Sequence, residues 1–418
     1  MQKINGSFVE TFLYKRNIYL HRITPFIGKP VIKIITGMRR VGKSCFLKQL
    51  IAHIQHTYGT DPKNILYIDK ESLEFEDIRT YRDLDAFIAE SFQEISGKKY
   101  VFIDEVQEIT KWEKAIASLA KQGNADIYLT GSNAHLFSSE LATLLSGRYI
   151  EFPMYSLGFD EFLQFRGDKA ASREQEFNHF LRFGGLPAIH HFPLEETIIY
   201  QYTSAIYNTI LLKDIIARHN VRNAPLLENI SRFVFDNIGN IFSAKKIADY
   251  LKSQRIRVGV ETVQKYLAYF IEALVLYKVP RYDLKGKRLL EVHEKYYLTD
   301  PGMRHALLGY READISGVLE NVVFLELKRR GYQVWVGKHD DSEIDFIATK
   351  EREKIYIQVA YLLATPKVVQ REFSVLHKIH DNYPKYVLSL DSAFGHDLDG
   401  IKRLNIVDFL VQPSLLKA

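Results

Sequence analysis

Cysteine is nearly absent, with Cys45 the single one in 418 residues. One thiol excludes an intramolecular disulfide framework and any structural zinc site built on cysteines, and it fits a reducing compartment. No run of about 18 consecutive apolar residues occurs, so no membrane-spanning helix is expected. Met1 to Glu10 lack the apolar core of a secretory leader, and a cytoplasmic location is expected. Internal repeats and low-complexity tracts are missing too. Charge of one sign is equally scarce: 56 Lys and Arg against 51 Asp and Glu leave +5, too little as a chain average to point to a polyanionic partner. What is present is 46% hydrophobic, 26% charged and 13% aromatic residues, which excludes a largely disordered or collagenous chain. At roughly 150 residues per domain, the length predicts about three domains.

Val31 to Thr36 form a short, β-branched, nearly apolar run that predicts a buried strand. It leads directly into Gly37-Met38-Arg39-Arg40-Val41-Gly42-Lys43-Ser44, which matches G-x-x-x-x-G-K-[ST], and Cys45 opens a segment with helical spacing of apolar residues. Glycines at those places let backbone N–H groups converge on phosphate oxygens at a helix N-terminus. Gly37 through Cys45 are therefore the candidate nucleotide-binding residues, with solvent the alternative place for Arg39 or Arg40. Lys43 is placed for the β- and γ-phosphates of ATP, and Ser44 for Mg²⁺. A second apolar run, Lys99 to Ile103, ends in Asp104 and Glu105. Asp104 is the second candidate for Mg²⁺, and Glu105 is placed to polarise the attacking water. A helix is predicted over Lys111 to Lys121, and a third strand, Asp126 to Thr130, ends in Gly131-Ser132-Asn133. Alternating strands and helices predict a parallel, doubly wound α/β sheet.

This arrangement resembles the AAA+ branch of P-loop ATPases. The resemblance assigns Asn133, or Ser132, the sensor of the γ-phosphate. Leu145-Ser-Gly147-Arg148 and Tyr155 to Leu163 resemble the segment that follows the sensor in one prokaryotic subfamily, which makes Arg148 either a γ-phosphate charge stabiliser, in its own subunit or across an interface of a homo-oligomer, or a surface arginine beside a turn. Arg16 to Leu20 read either as a base-contacting segment or as the start of an amphipathic helix.

Arg173 to about Ala224 are helical in pattern, broken by Phe183-Gly184-Gly185-Leu186-Pro187 and followed by Leu211-Leu212-Lys213-Asp214-Ile215. Both segments have counterparts in the same subfamily, and neither suggests chemistry by itself. Helices are then predicted over Leu226 to Ile238, Ala244 to Lys252 with Ser243 as N-cap, and Gly259 onward, before two strands flanking a turn at Lys285-Gly286-Lys287. That is the layout of a winged helix-turn-helix. Residues 241–290 hold eleven Lys or Arg and four Asp or Glu, a local +7 that leaves −2 for the rest. Lys252, Arg255, Arg257, Lys265, Arg281, Lys285, Lys287 and Arg288 lie where a recognition helix and wing meet duplex DNA, or else solvate a protein-contact module.

From Val318 a helix closed by Gly331 and three strands, at Gln333, Glu343 and Lys354, resemble the restriction-endonuclease-like core. Glu320 and Asp345 match its first two acids, whereas Gln358 and Ala360 stand where the (D/E)-x-K pair belongs. Loss of nuclease chemistry is expected, unless Lys350 or Lys354 supplies a relocated lysine. As a whole the chain resembles prokaryotic AAA+ ATPases with a C-terminal domain of unknown function of that fold. The expected organisation is an AAA+ P-loop domain at 1–165, a helical bridge at 166–224, a winged helix at 225–312 and an endonuclease-like α/β domain at 313–418. The expected function is an Mg-dependent ATPase switching on DNA or a protein partner. The alternatives are a binding module with nucleotide as a conformational ligand and, third, an ATP-dependent nuclease.

Overall fold

A computed structural model describes residues 14–134, 145, 147–391, 397–412 and 415, with the backbone alone for 291–293. Met1 to Glu10 and Ser146 lie outside it. Two compact units divide the chain, at residues 1–154 and 155–418.

In the first unit the apolar run becomes β1 (Ile32–Thr36), buried at every residue as a strand covered on both faces must be. Its Lys33 is tolerated because it pairs with the equally buried Asp126. Helix α1 (Asn17–Ile23) precedes it. Then follow α2 (Lys43–Tyr58), β2 (Ile65–Asp69), α3 (Tyr81–Ser91), β3 (Lys99–Asp104), α4 (Trp112–Gln122), β4 (Ala125–Gly131) and β5 (Tyr149–Pro153). The strands form one parallel sheet in the order β2-β3-β4-β1-β5. Ile34, Ile68, Val101, Ile103 and Leu129 from the strands pack with Leu84, Ile88 and Ile116 from α3 and α4. The order jumps from β1 to β3 across β4, which opens a crevice at the carboxyl ends, where α/β sheets hold ligands.

The second unit begins with α5 (Phe159–Arg166), α6 (Arg173–Phe183) and α7 (Glu196–Thr209), which continues as a π-helix over Ile210–Ala217. Next come α8 (Ala224–Asp236), β6 (Ile241–Phe242), α9 (Ala244–Ser253), α10 (Val260–Glu272) and the hairpin β7 (Leu276–Asp283) and β8 (Arg288–Leu298). Ser243 caps α9 by accepting from the Lys246 N–H at 3.2 Å. After α11 (Pro301–Leu308) and α12 (Ile315–Arg329) come β9 (Gln333–His339), β10 (Ser342–Lys350), β11 (Glu353–Val359), α13 (Pro366–His377), β12 (Lys385–Ser389), β13 (Lys402–Asn405) and α14 (Ile406–Val411). The hairpin is continuous with the later strands: one sheet runs β13-β12-β11-β10-β9-β7-β8-β6, joined by parallel pairing of Arg281–Asp283 with Val336–Lys338.

The Gly-Gly-x-Pro break has a packing cause. A Cβ on Gly184, whose φ is +79°, would lie 2.0 Å from Asp300 Oδ1, and one on Gly185 would lie 2.4 Å from the Leu157 carbonyl oxygen. Asp300 accepts from the Gly185 N–H at 2.8 Å and the Gly302 N–H at 2.9 Å, and burial pushes its carboxyl up to about 6. Gly185→Ala is expected to destabilise this unit by about 1–3 kcal/mol through overpacking against backbone. A thermal melt of the full chain checks it, and an unchanged midpoint contradicts the close approach.

Candidate functional site

The loop after β1 owes its path to three residues of positive φ: Gly37 at +159°, Arg40 at +68° and Gly42 at +99°. At Gly37 there is no room for a side chain, since a Cβ would meet the Met154 carbonyl oxygen at 2.3 Å. Gly42 is the N-cap of α2, so the helix N-terminus opens onto the loop. Lys43 is buried, and its ammonium donates to the carbonyls of Gly37 at 3.0 Å and Met38 at 3.3 Å. It also lies 3.2 Å from Glu105 Oε1. Met38 and Val41 are buried, Arg40 and Cys45 are exposed, and Arg39 reaches out to Glu71 at 2.7 Å.

β3 delivers Asp104 and Glu105 to the same place. Thr130, at the end of β4, organises both: its hydroxyl donates to Asp104 Oδ1 and accepts from the Glu105 N–H at 2.9 Å. Tyr67 on β2 donates to Asp104 Oδ2 at 3.3 Å, and the Ser44 hydroxyl hydrogen-bonds the same carboxylate. Burial, with the neighbouring Glu105 charge, pushes Asp104 above the usual carboxylate range. Burial pushes Glu105 the same way, but the Lys43 ammonium, the Gln107 amide, Arg39 and the Ser132 hydroxyl outweigh it and hold Glu105 low. Ser132 donates to Glu105 Oε2 at 2.9 Å, and Gln107 donates to the same oxygen. Glu105 itself sits in the left-handed region, φ +53°, a strained conformation that persists only where surroundings enforce it, commonly at functional sites.

The structure thus brings Lys43, Ser44, Asp104, Glu105 and Ser132 together. Asn133 follows Ser132 and is buried. Arg148 stands apart. It precedes Tyr149, which pairs with Ile32, while the loop leaves β1 after Thr36. The strand between spans about 16 Å at roughly 3.3 Å per residue, beyond the reach of one arginine. Arg16 is buried behind the loop, donating to the Val41 carbonyl at 3.1 Å and lying over the Tyr19 ring. Sequence reasoning missed Tyr67, Gln107 and Thr130. Thr130 ends a strand that was recognised, and a polar residue at a carboxyl strand end was the available signal.

In the second unit, Glu320 on α12 and Asp345 on β10 lie in one cluster with Lys295 of β8, which sequence reasoning did not single out. Gln358 accepts from the Asp345 N–H at 3.3 Å and donates to Glu372 at 3.0 Å. The suggested relocated lysines are elsewhere: Lys350 lies over the Tyr332 ring, and Lys354 lies 3.8 Å from Asp381. Among the described residues, no helix is long and apolar enough to cross a membrane, and no group of three or more His, Cys, Asp or Glu is arranged to hold a metal ion.

Comparison with known proteins places the chain among relatives. An uncharacterised protein of Haemophilus influenzae is 38% identical over 404 residues, covering 96% of this chain and 99% of that protein. The chain belongs to its family. The uncharacterised protein MJ1544 of Methanocaldococcus jannaschii, 31% identical over 79% of this chain and 75% of its own length, is a further relative. In this chain residues 29–163 match the family described as AAA domain, and residues 174–314 match a domain of unknown function (DUF8612). The fold is similar to that of the Walker-type ATPase PABY2304 of Pyrococcus abyssi, with a TM-score of 0.51 at 15% identity over 72% of this chain and 99% of that one. Residues 29–163 of this chain are therefore a domain of the AAA ATPase type.

Proposed function

We propose that the protein binds Mg·ATP at Gly37 to Cys45, hydrolyses it, and acts as an ATP-driven switch on DNA or a protein partner. One observation carries this reading: a buried lysine, a buried glutamate and a buried aspartate converge with Ser44 where a helix N-terminus meets the carboxyl ends of a parallel sheet. The residues fit the nucleotide. Gly37 leaves the loop backbone free of a side chain, and Lys43, directed at loop carbonyls and Glu105, has a cation to offer a phosphate. Ser44 and Asp104, already hydrogen-bonded to each other, would hold Mg²⁺, which supplies charge neutralisation along the phosphates. Glu105, held ionised, takes the proton of the attacking water. Ser132 and Gln107 aim it, and Asn133, or Ser132, senses the γ-phosphate. Arg148, too far from its own loop, acts on the nucleotide of a neighbouring copy in a homo-oligomer.

The DNA reading is favoured by exposure. Lys252 on α9, Arg255 and Arg257 in the connection to α10, Lys265 on α10, and Lys287 and Arg288 on the hairpin all face solvent, on the parts of a winged helix at 225–312. Duplex DNA is expected to bind with an affinity that falls steeply with salt. Reversing the charge at Arg255, Lys265 and Lys287 should abolish it in a fluorescence-anisotropy titration. Retained affinity would show that the wing is not the DNA contact. An endonuclease-like domain at 313–418, without nuclease chemistry, completes the proposed organisation.

A further inference from the structure

Lys295 and Tyr297 stand two residues apart on β8 and so share a face, as Glu343 and Asp345 do on β10, where a register shift between Ile344 and Ile347 re-aims the strand. Asn321 clamps α12 to β8 through both backbone groups of Leu298, at 2.7 and 2.9 Å, which sets the adjacent Glu320 against Lys295. The Lys295 side chain is only 2% exposed, and its ammonium lies 2.6 Å from Glu320 Oε1, 2.6 Å from Glu343 Oε1 and 3.3 Å from Asp345 Oδ1. Tyr297 donates to Glu320 Oε1, and Asp345 Oδ2 accepts from the Val359 N–H at 2.9 Å.

We propose that Lys295 is the resident cation of the Glu320, Glu343 and Asp345 triad, its ammonium standing in for the divalent metal that the endonuclease resemblance implies, so that the unit needs no metal there. An ammonium has three donors, and three carboxylates from two other elements converge on this one. Hard divalent cations take carboxylate oxygens at about 2.0–2.6 Å, so the same oxygen shell suits an ion or the ammonium, but not both. The residues do not fit the metal site that the endonuclease resemblance implies: Gln358 is committed to Glu372 and the Asp345 N–H, Ala360 carries no charge, and Lys295 fills the middle.

The test is Mn²⁺ titration of the nucleotide-free full chain, followed by electron paramagnetic resonance. Wild type is expected to show no saturable site that Asp345→Asn removes. Lys295→Ala is expected to gain one Mn²⁺ per chain, bound at least tenfold tighter than by wild type and lost again in Lys295→Ala/Asp345→Asn. A wild-type site lost in Asp345→Asn overturns the proposal, as does a folded Lys295→Ala that gains none. Should Lys295→Ala be unfolded in chelator, circular dichroism decides: refolding on addition of Mn²⁺ supports the proposal, and failure to refold overturns it.

Discussion

Glu105→Gln is expected to keep ATP bound while phosphate release slows on the order of 10²–10⁴-fold, the range by which a positioned general base accelerates proton transfer. The side chains differ by little in volume, so the hydrogen bond from Ser132 and the left-handed backbone at Glu105 can persist. What disappears is the base. Lys43, Gln107, Arg39 and Ser132 all act to keep Glu105 ionised against its burial, and an amide neither needs nor uses that environment. Single-turnover phosphate release together with a nucleotide-binding titration separates the two effects. Equal losses of binding and turnover would show that Glu105 shapes the site rather than acting on water.

Lys43→Ala is expected to weaken ATP binding by about 10–100-fold, from the roughly 1.5–3 kcal/mol of a hydrogen bond to a charged group, and turnover falls with it. A second effect follows from the buried pair. Removing the ammonium leaves Glu105 with its burial penalty and fewer compensating charges, so nucleotide-free Lys43→Ala should also melt lower than wild type. Adding Glu105→Gln to Lys43→Ala should recover part of that loss, because no unpaired carboxylate then remains. A double-mutant cycle on melting midpoints measures it, and strict additivity contradicts the coupling.

Those two residues were legible because their roles are set by local order: glycines, a lysine and a hydroxyl within eight positions, and two acids directly after an apolar run. The strand before Gly37 and the helix after it were equally legible, since a buried strand and an amphipathic helix have different periods. Cross-strand partners were not. Tyr67 meets Asp104 only because β2 pairs with β3 in the register that sets Asp69 beside Asp104, and a single sequence carries no signal of that register. Lys295 was invisible for the same reason, standing 25 residues from Glu320 and 50 from Asp345. The lysines suggested from proximity in sequence, Lys350 and Lys354, settle instead on aromatic rings and Asp381. Likewise the hairpin β7–β8 reads as a wing from its own residues, while its parallel pairing with β9 is a property of the folded sheet alone.

ATP hydrolysis at the Lys43 and Glu105 site is tested most directly by steady-state phosphate release from Mg·ATP by wild type, Lys43→Ala and Glu105→Gln, measured side by side. Mg-dependent release by wild type that both substitutions reduce by tenfold or more is the expected result. Release unchanged in both variants contradicts it.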